Sequence, residues 1–237
     1  MFPCAAATST VRQAWPREPE TIPIFPLQSV VLFPTQTVPL YIFEPRYRQL
    51  TADALAGDRR IGMVAVRPDH VAEMAGDPPL FEIGCEGMIG QAEERPDGTY
   101  TILLQATRRF RLEAETQRPA ERLYRVAEVS GLADPLPAQS REHIKLVRNE
   151  VLDQLGALLR RATGEGSPAP SLERLDGIDD TRLVNALCQA IELGPLEKQQ
   201  LLEAPGVPER YDTLCDLMRF RLAELGARGG PGPTALQ

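Results

Sequence analysis

Residues 22–48 read IPIFPLQSVVLFPTQTVPLYIFEPRYR, and this stretch decides the fold. Three apolar runs, 22–27, 30–33 and 38–43, are separated by short polar or proline-containing breaks. Prolines stand at positions 23, 26, 34, 39 and 45. Each proline removes a ladder donor, so a buried central strand does not hold this many. The pattern predicts short strands, edge positions and tight connections. It closes on Glu44-Pro45-Arg46-Tyr47, where Pro45 suits the first turn of a helix.

Moving outward toward the C-terminus, apolar residues at Tyr47, Leu50, Ala54 and Leu55 mark one face of a helix that Gly57 ends. A short strand follows over 61–66, then a polar, proline-rich loop over 67–80. Residues 81–130 read as a strand meander. Its first strand carries glycines at 84, 87 and 90, which predict bulges or the close approach of another backbone. Pro96 and Gly98 give a hairpin turn. The next strand starts at Tyr100, is interrupted near 106–108, and resumes with Phe110 and Leu112 alternating with arginines. A last strand covers 123–129. Six or seven short strands suit a small barrel or a strongly curved sheet.

After the Pro135/Pro137 linker the period changes to helical. Ile144, Val147, Val151, Leu155, Leu158 and Leu159 form one stripe, with Ser140 as a cap. Leu183, Val184, Leu187, Ala190 and Ile191 form a second, starting at Asp179 or Asp180. A short helix follows Pro195, and a long one runs from Glu209 to about Leu225 along Tyr211, Leu214, Cys215, Met218 and Leu222. Residues 1–20 read as a mobile tail, with Trp15 either loose or clipped to the body; 163–170 read as a flexible loop and 226–237 as a Gly/Pro tail. Strands first and helices second give an α+β chain.

Composition limits what such a chain can do. A net charge of −7 over 237 residues opposes general affinity for nucleic acid or anionic lipid. No apolar run approaches a membrane span, and the N-terminus lacks the basic and apolar regions of a signal peptide, so a cytoplasmic location is the expectation. The four cysteines, at 4, 85, 188 and 215, form no C-x-x-C pair, and the two histidines, at 70 and 143, have no zinc-binding spacing; no metal or cofactor is expected. There is no G-x-S-x-G and no phosphate loop, and the two lysines, 145 and 198, sit on predicted helices. No catalytic residue is assigned.

Three places invite a binding role. The run Arg108-Arg109-Phe110-Arg111, with Arg118, Arg122 and Arg125 downstream, either contacts RNA phosphate or forms a solvated strand face paired with Glu113, Glu115, Glu121 and Glu128. The corner 44–48 is either a partner contact or a structural helix start with Tyr47 under the sheet. On the last helix, Leu217 and Phe220 widen the apolar stripe, either for deep burial or for a partner.

The residues also carry a family likeness. The segments 22–27, 30–34, 38–40 and 43–47, then Ile83-Gly84-Cys85, the Asp97-Gly98 hairpin and 107–111, resemble the Lon protease N-terminal (substrate-binding) domain. The helical part, at 179–183 and 196–202, is similar as well, so the likeness covers roughly 21–222. The resemblance implies a PUA-like β-barrel over 21–132, a helical bundle over 138–225, and a role in recognising protein substrates. No Walker motif or Ser–Lys protease module lies within the 237 residues, so the resemblance implies the stand-alone bacterial form, a binding part with no catalytic residues to carry over.

The expectation is therefore a non-enzymatic protein- or peptide-binding module that works without ATP, with Phe25, Leu27, Tyr41, Phe43, Leu217 and Phe220 as candidate apolar contacts. RNA binding through Arg109, Arg111 and Arg125 is the alternative, and a cryptic hydrolase is the third reading. A protein adaptor role and homo-oligomerisation stay open.

Overall fold

The computed structural model describes residues 19–74, 76–163, 172–175 and 177–228. The expected tails and the 163–170 loop fall almost wholly outside these residues; Glu20 is already part of the first strand.

Among the described residues, six strands and five α-helices follow one another: β1 Glu20–Leu27, β2 Thr37–Ile42, α1 Pro45–Ala56, β3 Arg60–Ala65, β4 Ile83–Glu94, β5 Tyr100–Glu115, β6 Arg125–Leu132, α2 Arg141–Thr163, α3 Asp180–Ala190, α4 Pro195–Glu203 and α5 Val207–Arg228. The result is a mixed α+β fold with a single six-stranded sheet. Its order is β2-β5-β4-β3-β1-β6, and β6 pairs with β5 as well as with β1. Only β1 and β3 run parallel; α1 lies in the connection between them. β2 pairs with β5 alone and is an edge strand, as its internal Pro39 requires.

The middle run of the opening stretch is not a strand. Residues 30–33 lie outside any strand, yet Val31, Leu32 and Phe33 are buried. The backbone partners come from a side chain: the Gln189 amide of α3 accepts from Phe33 N–H at 3.2 Å and donates to the Val31 carbonyl at 3.3 Å. One glutamine thus stands in for a strand neighbour and stops the segment from burying unpaired polar groups.

The expected interruption near 106–108 is a bulge in a continuous strand. Glu86 pairs with Arg108 and Gly87 with Ala106, leaving Thr107 as the extra residue. Its hydroxyl donates to Glu86, backbone and carboxylate. The glycines of β4 are explained in part by the same strand. A Cβ at Gly84 would stand 2.5 Å from the Phe110 ring and 2.6 Å from the Met63 carbonyl oxygen, so only glycine fits.

Apolar residues form two clusters. The smaller joins Ile22, Ile24, Val64, Phe110, Ala127 and Val129 of the strands. The larger runs from the opposite sheet face, through Phe25, Phe33, Tyr47, Ile61 and Met63, into α2–α5, through Val151, Leu187, Leu201, Tyr211 and Met218. Sheet and helices therefore share one core. Cys188 and Cys215 are buried free thiols within it, as is Cys85, and burial pushes the Cys188 thiol up to about 12.

Candidate functional site

The corner at 44–48 is built as a helix start. Pro45 opens α1. Tyr47 is buried, its ring 4.1 Å from that of Phe25, and its hydroxyl donates to the Pro26 carbonyl at 3.1 Å. Burial pushes the Tyr47 phenol up to about 12. This packing corrects one candidate: Phe25 is 5% exposed and offers no surface, because Tyr47 and α1 cover it. Leu27 and Leu217 are partly buried against the same core. Three of the six apolar candidates remain open: Tyr41 at 51%, Phe43 at 60% and Phe220 at 62% exposure.

Tyr41 and Phe43 are brought together. Tyr41 is in edge strand β2 and Phe43 lies one residue past its end; continued alternation puts the two side chains on one face. The rings stack with centroids 6.0 Å apart at 29°. The Arg95 guanidinium, from the β4–β5 hairpin, covers the Tyr41 ring at 5.0 Å. That hairpin is fixed by Arg95 N–H to Thr99 O at 2.8 Å and by Gly98 at φ 75°. The aromatic pair is thus ordered before any partner arrives, which lowers the entropy lost on binding. Phe220 sits on α5 and makes no ring contact with this pair among the described residues.

The basic candidates separate. Arg109 is 3% exposed and is a strut between sheet and helices. It donates to the carbonyls of Leu202 and Ala204 at the end of α4, at 2.8 and 2.5 Å, and to that of Ala133 at 2.8 Å. A cation at the C-terminal end of a helix is favourably placed. Arg125 is also buried, donating to Pro78 O at 2.9 Å and paired with Glu115. Neither side chain is free to meet phosphate, which corrects the phosphate-contact reading for both. Arg111 alone is surface-exposed, paired with Glu82 at 2.8 Å.

Two further arrangements escaped the sequence. Fully buried Arg210 of α5 forks onto Asp134 at 2.8 and 2.9 Å and reaches Asn185 at 2.7 Å and Leu201 O at 3.0 Å. Arg109 approaches the same Asp134 at 3.2 Å. On the strands, Glu86 is 4% exposed and meets Arg108 at 2.9 Å and Arg60 at 3.4 Å, and Glu20 pairs with the same two arginines. Burial raises the Glu86 carboxyl above the usual glutamate value, against the opposing pull of Thr107 and Arg60. Long-range pairings of this kind leave no local pattern to read.

Among the described residues no group of three or more His, Cys, Asp or Glu is placed to hold a metal ion, and no helix is long and apolar enough to cross a membrane.

Comparison with known proteins places this architecture. Lon protease of Parabacteroides distasonis is 31% identical over 222 residues, covering 88% of this chain and 25% of the relative. Lon protease of Escherichia coli K12 is 29% identical over 202 residues, covering 85% and 25%. The chain spans about a quarter of the length of the curated relatives it matches. Two solved structures share the fold. The N-terminal domain of a Mycobacterium avium complex Lon protease matches with a TM-score of 0.65 at 19% identity, covering 84% of this chain and 98% of that one. A Lon N-terminal domain protein from Xanthomonas campestris matches with a TM-score of 0.56 at 23% identity, covering 83% and 98%. The model of the ATP-dependent protease La (LON) substrate-binding domain matches residues 21–219, and the chain belongs to that family.

Proposed function

We propose that the chain is a polypeptide-binding module with no reaction of its own, which takes extended apolar segments of other proteins along the edge of β2. The observation that carries this reading is the Tyr41–Phe43 pair, stacked and more than half exposed, with Tyr41 on β2 and Phe43 just past its end, where the strand has a neighbour on one side only among the described residues. An incoming extended segment gains side-chain burial from the aromatics and main-chain hydrogen bonds from the edge positions on either side of Pro39, which itself has no N–H to offer. Aromatic residues at a rigid surface are the usual source of binding energy at interfaces. Family membership supports protein substrates as the ligand class. The pairing of β6 with both β1 and β5 supports a PUA-like barrel over 21–132, with the helical part 138–225 packed on it. The same reading makes the module an adaptor that presents clients to a separate machine in the cytoplasm. RNA binding is not carried forward, since Arg109 and Arg125 are committed within the fold.

The test is fluorescence anisotropy with labelled extended peptides rich in Leu and Phe, on the wild type and on the Tyr41→Ala/Phe43→Ala double variant. Micromolar binding that falls about tenfold or more in the double variant, the loss expected of an aromatic hot spot, is the predicted result. Undiminished binding by the double variant contradicts the site.

A further inference from the structure

A groove of about 620 Å³ opens between the sheet and the α4–α5 turn, well away from the aromatic pair. On β5 its residues Arg109 and Arg111 lie eight and ten positions beyond Thr101, the partner of Tyr41, or roughly 26–33 Å along the strand. Its walls are apolar where Phe81, Ile83, Leu132 and Pro205 meet it. Its charge is not balanced. Arg67, Arg109 and Arg111 line it against Glu82 and Glu203. Behind it, Arg109 and fully buried Arg210 share one carboxylate, that of Asp134. Arg109 Nε–H is also sealed without an acceptor among the described residues. Two buried guanidiniums on one carboxylate leave a net positive charge in a poorly solvated place, where charges are least screened. At the rim, the exposed Glu82 pairs with Arg111, a pairing readily exchanged. Arg67 stacks over Phe81 at 5.6 Å, keeping its guanidinium beside an apolar wall.

We propose that this groove is a second subsite, which takes an acidic side chain of a bound polypeptide flanked by apolar residues. The inference rests on the polypeptide-binding reading and names one feature of the ligand. The carboxylate sits between Arg67 and Arg111 over the buried charge of Arg109, and the neighbouring apolar side chains lie on Phe81, Ile83 and Leu132. The chain's overall negative charge disfavours acidic ligands elsewhere on its surface, so this local excess adds specificity.

The experiment compares two labelled hexapeptides, Gly-Leu-Phe-Asp-Leu-Phe and the same sequence with Asn for Asp, acetylated and amidated so that no terminal charge intervenes. Anisotropy titrations use the full chain at low salt, where a charge-assisted pair is least screened. The Asp peptide is expected to bind about tenfold tighter, and the ratio to fall to about twofold or less in Arg67→Gln/Arg111→Gln, whose exposed side chains leave the fold intact. Equal affinity of the wild type for the two peptides, or an unchanged ratio in the arginine double variant, overturns the subsite. If both peptides bind equally and Tyr41→Ala/Phe43→Ala weakens both, the polypeptide-binding reading stands and only the groove falls. If neither binds, both fall.

Discussion

Within the stretch 22–48, two aromatic segments of similar composition meet opposite fates. Residues 30–33 carry Phe33 into complete burial, while Tyr41 and Phe43, eight and ten residues later, stand more than half exposed. Apolarity does not separate them. What does is the helical half: α3 lies against 30–33 and supplies Gln189 to its backbone, whereas no helix among the described residues covers Tyr41 and Phe43. An exposed apolar group that the fold had a way to cover carries more information than a buried one.

The largest effects should fall on the covered side. Phe33→Ala should lower unfolding stability by about 3–5 kcal/mol in a urea titration, as for other fully buried aromatics. Arg210→Ala should do comparable damage, about 3–5 kcal/mol, because Asp134 then keeps only its longer pairing with Arg109. A change of under 1 kcal/mol in either variant would break the contrast. Gln189→Ala sharpens it: the packing of 30–33 survives, but Phe33 N–H and Val31 C=O lose their partners, and a loss of about 1–3 kcal/mol is expected.

A smaller effect depends on pH. The folded-state pKa of Glu86 is raised by burial, so folding holds its proton more tightly than the unfolded chain does. The stability this contributes is full below the ordinary glutamate value of about 4.3 and is lost as pH rises through the raised one. Glu86→Gln should therefore flatten the stability profile above that point; an unaltered profile would show that Glu86 titrates normally. Smallest of all, Tyr41→Ala and Phe43→Ala should each move stability by only about 0.5 kcal/mol, as expected of exposed positions.

Much of the fold was legible because its signals are local. The apolar spacing from Tyr47 to Leu55, bounded by Pro45 and Gly57, fixes α1. Asp179 caps α3 by accepting from Arg182 N–H at 3.2 Å. The Pro96–Gly98 turn joins β4 to β5. The illegible parts depend on partners far along the chain. Residues 30–33 have the composition of a strand, and Gln189, more than 150 residues away in sequence, partners the Phe33 N–H and Val31 C=O that a course outside the sheet would otherwise leave bare. Arg109 alternates with apolar residues like any surface cation, but the end of α4 waits over it. The candidate site was half legible for the same reason. The sequence marks Phe25, Tyr41 and Phe43 alike, and Tyr47 covers only the first.

The most direct test of the central claim is the affinity of a Leu/Phe-rich extended peptide for the wild type, for Tyr41→Ala/Phe43→Ala and for Phe220→Ala, each first shown to unfold at the same urea midpoint. About a tenfold or greater loss is expected in the β2 double variant, and no change with Phe220→Ala. Equal binding by the wild type and the β2 variant, or a loss confined to Phe220→Ala, would contradict it.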